Sequence, residues 1–185
     1  MQHDVIIAGF GGQGVLLAGQ LLAYAGLMEN KEVAWFPSYG PEMRGGTANC
    51  TVIVSPRKIS SPVVEEPSAA LVLNLPSMLK FEPIIRPGGF LLINSSLVER
   101  QPGRKDIYAY LVPANEIAQN LGHIKVANMV LLGAYLELTG AVSMSSMLKA
   151  LEKTLPEHRQ YLLPVNQKAM EMGAQAVRRV SAIGA

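Results

Sequence analysis

Residues 9–14 read Gly-Phe-Gly-Gly-Gln-Gly, set between the apolar run Val5-Ile6-Ile7-Ala8 and a second run that begins Val15-Leu16-Leu17-Ala18. A short apolar stretch, a cluster of glycines and a long apolar stretch describe a strand, a tight turn and a helix. Glycine lets the backbone turn sharply and approach a ligand closely, while the free N–H groups that open the next helix favour an anion. The chain therefore starts on a Rossmann-like βα unit, and the remaining sequence must supply a sheet for it to join.

It does so in alternation. Glu32–Phe36 reads as a second strand closed by Pro37, then comes a glycine-bounded loop from Ser38 to Gly46, and Thr47–Val54 resumes a β-branched strand pattern. The loop is too short for a helical crossover, so these two strands are expected to be antiparallel. Further strands are expected at Ala69–Asn74, Phe90–Asn94 and Ile107–Val112, with a helix opened by Pro76 and running to Ile85 between the first two. After Val112 the pattern is helical: Pro113–Leu121, Val126–Thr139 stopped by Gly140, Met144–Thr154 capped by Ser143, and a last helix from Pro164 to Val180. The expected fold is α/β: one three-layer α/β/α domain over residues 1–185, with a mixed, mostly parallel sheet. Ligands of such folds sit at the carboxyl ends of the parallel strands, where this chain has Gly9–Gly14, Ser38, Tyr39, Asn74 and Asn94-Ser95-Ser96. Asn and Ser at strand ends also serve ordinary turns by bonding their own backbone.

Several function classes drop out. The single cysteine, Cys50, cannot build a disulfide framework or ligate an iron–sulfur cluster alone, and it points to a reducing, cytoplasmic setting; a buried, inert thiol is expected. No apolar run is long enough to span a membrane, and the first residues lack the basic segment of a signal peptide. Basic residues are scattered and the net charge is only +2, so no stripe follows a nucleic acid. Charged residues make up 16% of the chain, below the roughly 25% of an ordinary soluble domain, and such a surface suits a partner. The helices from Gln13 to Met28 and from Val126 to Leu138 are apolar nearly all round. Both fit central helices of a three-layer fold, and both fit a subunit interface.

A nicotinamide site needs a carboxylate at the end of the second strand, where this chain has Phe36-Pro37-Ser38. No Gly-Lys-Ser/Thr follows the glycines, which removes the P-loop as well. His3, His123 and His158 lack a second ligand at helical spacing and read as solvated surface. In the loop, Arg44 beside Gly45-Gly46 is placed to offer a planar cation to a phosphate or carboxylate, or to pair with Glu42.

Three segments together, GFGGQG at 9–14, SYGPEMRGGTANC at 38–50 and NMVLLGAY at 128–135, resemble the gamma subunit of the 2-oxoacid:ferredoxin oxidoreductases over essentially the whole chain. The run Pro41-Glu42-Met43-Arg44-Gly45-Gly46 is most similar to the 2-oxoglutarate branch, and the pyruvate and branched-chain branches share a similar loop. The resemblance implies a non-thiamine-binding subunit of a hetero-oligomer with alpha, beta and ferredoxin-like partners, inactive and self-associating when isolated. Those partners are expected to hold thiamine diphosphate, magnesium and iron–sulfur clusters. The complex decarboxylates a 2-oxoacid, passes the acyl group to coenzyme A and sends electrons to ferredoxin. The same resemblance implies that Gly9, Gly11, Gly12, Gln13, Gly14, Arg44, Gly45, Gly46, Thr47 and Asn128 contact either coenzyme A or a neighbouring subunit. Anionic phosphates suit a helix amino end and a guanidinium, and an amide suits an asparagine side chain. Two other readings of the residues are a stand-alone nucleotide-binding or sensing module and a purely structural adaptor.

Overall fold

The computed structural model describes residues 1–38 and 47–184. Its strands are β1 (His3–Phe10), β2 (Glu32–Ser38), β3 (Thr47–Ser55), β4 (Ala69–Val72), β5 (Phe90–Asn94) and β6 (Tyr108–Val112). Its α-helices are α1 (Val15–Met28), α2 (Leu75–Phe81), α3 (Ala114–Asn120), α4 (Ala127–Thr139), α5 (Met144–Thr154) and α6 (Leu163–Arg178). The strands form one sheet in the order β2-β3-β1-β4-β5-β6. β1, β4, β5 and β6 run parallel, and β3 is antiparallel to both β1 and β2. The expected mixed α/β sheet is therefore present, with the reversed strand where the short connection requires it.

Alternate side chains of the central strands feed two cores. Val5, Ile7, Ala69, Leu71 and Leu92 pack with α1, α4, α5 and α6 on one face. Ile6, Ala8, Ala70, Val72, Leu91 and Ile93 pack with Met78 and Phe81 of α2, and with Val98 and Ile107, on the other. The second face has the thinner cover. It is fastened by Glu82, whose buried carboxylate accepts the N–H groups of Gly103 (2.6 Å) and Arg104 (2.9 Å).

The ambiguity over the two apolar helices resolves differently for each. Every residue of α4 from Ala127 to Leu136 is buried, so its all-round apolar pattern belongs to an interior helix. It crosses α6 at glycine on both sides: a Cβ on Gly133 would strike the Met170 carbonyl, and one on Gly173 would strike the Val130 carbonyl. α1 buries Val15, Ala18, Leu21, Leu22 and Ala25 but leaves Leu17, Tyr24 and Leu27 exposed along one side.

Some boundaries differ from those read in the sequence. β1 extends from His3 through Gly9 to Phe10 because its full length pairs with β3, Gly9 opposite Ala48 and Phe10 opposite Thr47. His3 is accordingly not solvated surface; it is half-buried in the sheet, where burial and the nearby positive charges of Lys31 and Arg86 hold its pKa below the ordinary value. β2 continues through Pro37, which an edge strand tolerates because one side of it has no ladder to complete. α2 stops at Phe81 and tightens into a 3₁₀ turn, Glu82–Ile84, since Pro83 has no N–H to give to the helical ladder.

Candidate functional site

The parallel strands end at the glycine turn. Gln13 holds the turn from within: its side-chain oxygen accepts the Phe10 N–H at 2.6 Å and its own N–H donates to the Phe10 carbonyl at 3.2 Å. Gly12 and Gly14 have φ of +91° and +72°, the left-handed region that side chains avoid. Gly14 is the N-cap of α1 and carries no capping side chain. The first helical bond is Ala18 N–H to the Gly14 carbonyl at 3.0 Å, so the N–H groups of Val15, Leu16 and Leu17 have no acceptor inside the helix.

Asn128, in the first turn of α4, reaches this point from far along the chain. Its Nδ2 donates to the Gly14 carbonyl at 3.0 Å and its Oδ1 accepts the Met129 N–H at 2.9 Å. The amino ends of α1 and α4 are thereby tied side by side. Beside them is a cavity of about 160 Å³ lined by Gly12, Gln13, Leu73, Asn115, Ile124, Lys125 and Ala127. The amino end of α4, at Ala127, and Lys125 line this space, and a helix amino end worth about half a positive charge beside a lysine suits an anion. Val15, Leu16 and Leu17 of the α1 amino end line instead a separate hollow of about 280 Å³ with Phe10, Gly11, Gly12, Gly14 and Ala48.

Thr47 opens β3 opposite Phe10, so the strand pairing brings it to the same end of the sheet as the turn. Gly9 and Gly11 support the turn, Gly9 as a buried strand residue against Leu73. Asn128 is 4% exposed, and its carboxamide is engaged within the chain at both ends. Arg44, Gly45 and Gly46, with Glu42, lie outside the described residues. Of the polar residues at the other strand ends, Asn74 caps α2 locally through Ser77 N–H (2.9 Å), whereas the end of β5 is tied to the start of α3: Asn94 accepts Ala114 N–H (3.2 Å) and donates to Asn115 (2.8 Å), and Ser96 accepts Glu116 N–H (3.1 Å). Lys125 and Asn115 escaped the sequence reading. The one available signal was a lone lysine just before a helix almost free of charge.

Cys50 sits wholly buried where β3 meets α1, with Sγ 3.5 Å from the Val15 carbonyl. Burial pushes its thiol up to about 11, which suits packing and not nucleophilic attack. Among the described residues no three metal-ligating side chains converge, and no helix is long and apolar enough to cross a membrane.

The family model described as pyruvate ferredoxin/flavodoxin oxidoreductase matches residues 4–176. The chain belongs to this family. Within the pyruvate ferredoxin/flavodoxin oxidoreductase family, it is 38% identical to the 2-oxoglutarate synthase subunit KorC of Methanocaldococcus jannaschii, over 85% of this chain and 86% of that one. It is 39% identical to the ketoisovalerate oxidoreductase subunit VorA of Methanothermobacter thermautotrophicus, over 94% of this chain; the chain spans only 36% of that relative's length. Among solved structures, the gamma subunit of a keto/oxoacid ferredoxin oxidoreductase from Geobacter sulfurreducens superposes with a TM-score of 0.81 at 32% identity, over 96% of this chain and 99% of that one. The 2-oxoglutarate:ferredoxin oxidoreductase of Magnetococcus marinus shares the fold with a TM-score of 0.88 at 22% identity, over 99% of this chain and 32% of that one.

Proposed function

We propose that this chain is the gamma-type subunit of a 2-oxoacid:ferredoxin oxidoreductase and contributes the site at which coenzyme A is held. The observation that carries this reading is the Asn128–Gly14 bond, which ties the amino end of α4 to the glycine turn beside a cavity that Lys125 also lines. Phosphates of coenzyme A fit such a place, because backbone N–H groups and a lysine stabilise an anion that backbone alone positions. In this reading Gly12 permits close approach of the ligand and Gln13 keeps the turn open. The thiamine diphosphate, magnesium and iron–sulfur clusters belong to partner subunits, and they supply the decarboxylation and the one-electron steps. This chain's own task is to bind and orient.

The 2-oxoacid is 2-oxoglutarate in this proposal. Its support is the similarity to KorC, which this chain matches along most of both lengths. The exposed apolar side of α1, with Leu17, Tyr24 and Leu27, and Phe36 on the edge strand β2 suit burial against the partner subunits. The decisive experiment is to isolate the complex through a tag on this chain and assay 2-oxoacid-dependent, coenzyme A-dependent reduction of ferredoxin. Turnover with 2-oxoglutarate is expected. Turnover with 3-methyl-2-oxobutanoate alone would reassign the substrate to the branched-chain class that the similarity to VorA represents. A monomer that co-purifies with nothing and binds nucleotides unaided would overturn the subunit reading.

A further inference from the structure

At the end of the sheet opposite the glycine turn, the amino ends of β1, β4 and β5 meet the carboxyl end of α4. Between them is a cavity of about 270 Å³, whose lining includes His3, Ser68, Arg86, Phe90, Leu138 and Thr139. Two of its polar groups are engaged within the chain. Ser68 Oγ accepts the Asp4 N–H and donates to the Asp4 carbonyl, each at 2.9 Å, and Thr139 Oγ1 donates to the Tyr135 carbonyl at 2.8 Å. The other two, the Arg86 guanidinium and the His3 imidazole, are half-buried and have no ion-pair partner among the described residues. A cation that has given up part of its water without gaining a counter-charge is costly to keep, so Arg86 calls for an acceptor.

The balance of charge selects the sign of the ligand. Burial and positive charges that include Lys31 and Arg86 hold the His3 pKa below 6.5, and they outweigh the opposite pull of Asp4. Lys31 is paired with Glu29 at 2.7 Å, and strand alternation sets Asp4 on the other face of the sheet with Ile6 and Ala8. The carboxyl end of α4 brings about half a negative charge, against the whole positive charge of Arg86. An anion is therefore favoured at that wall. The facing wall, Phe90 and Leu138, is apolar and continues the main core. The volume falls just short of the roughly 300 Å³ at which drug-sized sites begin, which leaves room for a small molecule and none for a nucleotide.

We infer that this cavity binds a small free carboxylic acid, as its anion, with a short hydrocarbon body. The carboxylate pairs with Arg86, whose planar guanidinium offers two parallel N–H donors, and His3 adds a third. The hydrocarbon body lies against Phe90 and Leu138. Inorganic phosphate answers Arg86 but leaves the apolar wall bare. The inference uses neither the glycine turn nor Lys125, so it stands independently of where coenzyme A is held.

The test is calorimetric titration of the full chain with 3-methylbutanoate, its uncharged amide and inorganic phosphate, while NMR follows the imidazole resonances of His3, His123 and His158. 3-Methylbutanoate should bind more tightly than the amide or phosphate by about tenfold or more, and it should shift His3 alone. Arg86→Ala should weaken it by about tenfold and Arg86→Lys by less, with thermal unfolding showing that both variants are folded. Affinity should rise as pH falls through 6.5, because the bound anion favours the His3 imidazolium. Absence of saturable binding, equal binding of acid and amide, or an affinity unchanged by Arg86→Ala overturns the inference. Binding by the isolated chain that is lost in the complex purified through a tag on this chain also overturns it, and gives the cavity to a carboxylate of a partner subunit.

Discussion

Asn128 Nδ2 stands 3.0 Å from the Gly14 carbonyl, joining the first turn of an interior helix to the last residue of a glycine turn 114 positions earlier. A Cβ on Gly14 would meet that carboxamide, so the two residues fit only as asparagine and glycine. Asn128→Ala should cost about 1–2 kcal/mol in urea denaturation. Asn128→Asp should cost more, because it sets a carboxylate against a carbonyl. Equal stability of both variants and wild type would mean that the bond does not brace the turn.

The crossing of α4 over α6 depends on the absence of side chains at Gly133 and Gly173. Gly133→Ala should destabilise the fold by about 3 kcal/mol, since the new methyl meets backbone that cannot rotate away. Gly140→Ala provides the contrast: φ is +60° there, but the space around it is open, and the expected cost is about 1 kcal/mol from left-handed strain alone. Thermal midpoints of the two variants check the order.

Glu29 clasps the end of α1 to the start of α5. Its carboxylate accepts Ser143 N–H and Lys31 Nζ, each at 2.7 Å, and Lys31 also donates to the Ala141 carbonyl. Burial opposes ionisation, yet these bonds outweigh it and hold the pKa at about 2, below the ordinary 4.5. A carboxylate held low in the folded state stabilises it above the unfolded value, and that contribution disappears as pH falls from 4.5 towards 2. Glu29→Gln should therefore be less stable than wild type at neutral pH, by about 1 kcal/mol for a pair partly open to solvent, and the difference should close in acid. Denaturation curves across pH 2–7 test this; a constant gap would contradict it.

Cys50 should resist alkylation in the native protein at pH 8 and react fully once urea exposes it, because its thiol is buried and held near 11. Labelling at the rate of a free thiol without denaturant would show that the β3–α1 seam opens readily.

The fold was largely legible because its signals are local. The glycine turn, the β-branched run of β3, the proline in the first turn of α2 and the Ser143 cap each state an element in a few residues. The differences arose where a distant partner decided the outcome: β3 draws Gly9 and Phe10 into β1, and an open sheet edge lets Pro37 remain in β2. The site was less legible for the same reason. The glycines announce themselves, whereas Lys125 and Asn115 are ordinary polar residues until the packing of α3 against α4 and the turn before it brings them together.

The interposed strand β3 has a geometric consequence for the dinucleotide-like opening of this chain. Strands lie about 4.8 Å apart, so placing β3 between β1 and β2 moves the tip of β2 roughly 10 Å from that of β1. A carboxylate at Ser38 would then be too distant to grip a ribose whose diphosphate rests on the turn after β1. Placing an acidic residue there would not create a nicotinamide site, because the strand order itself rules out that mode of recognition.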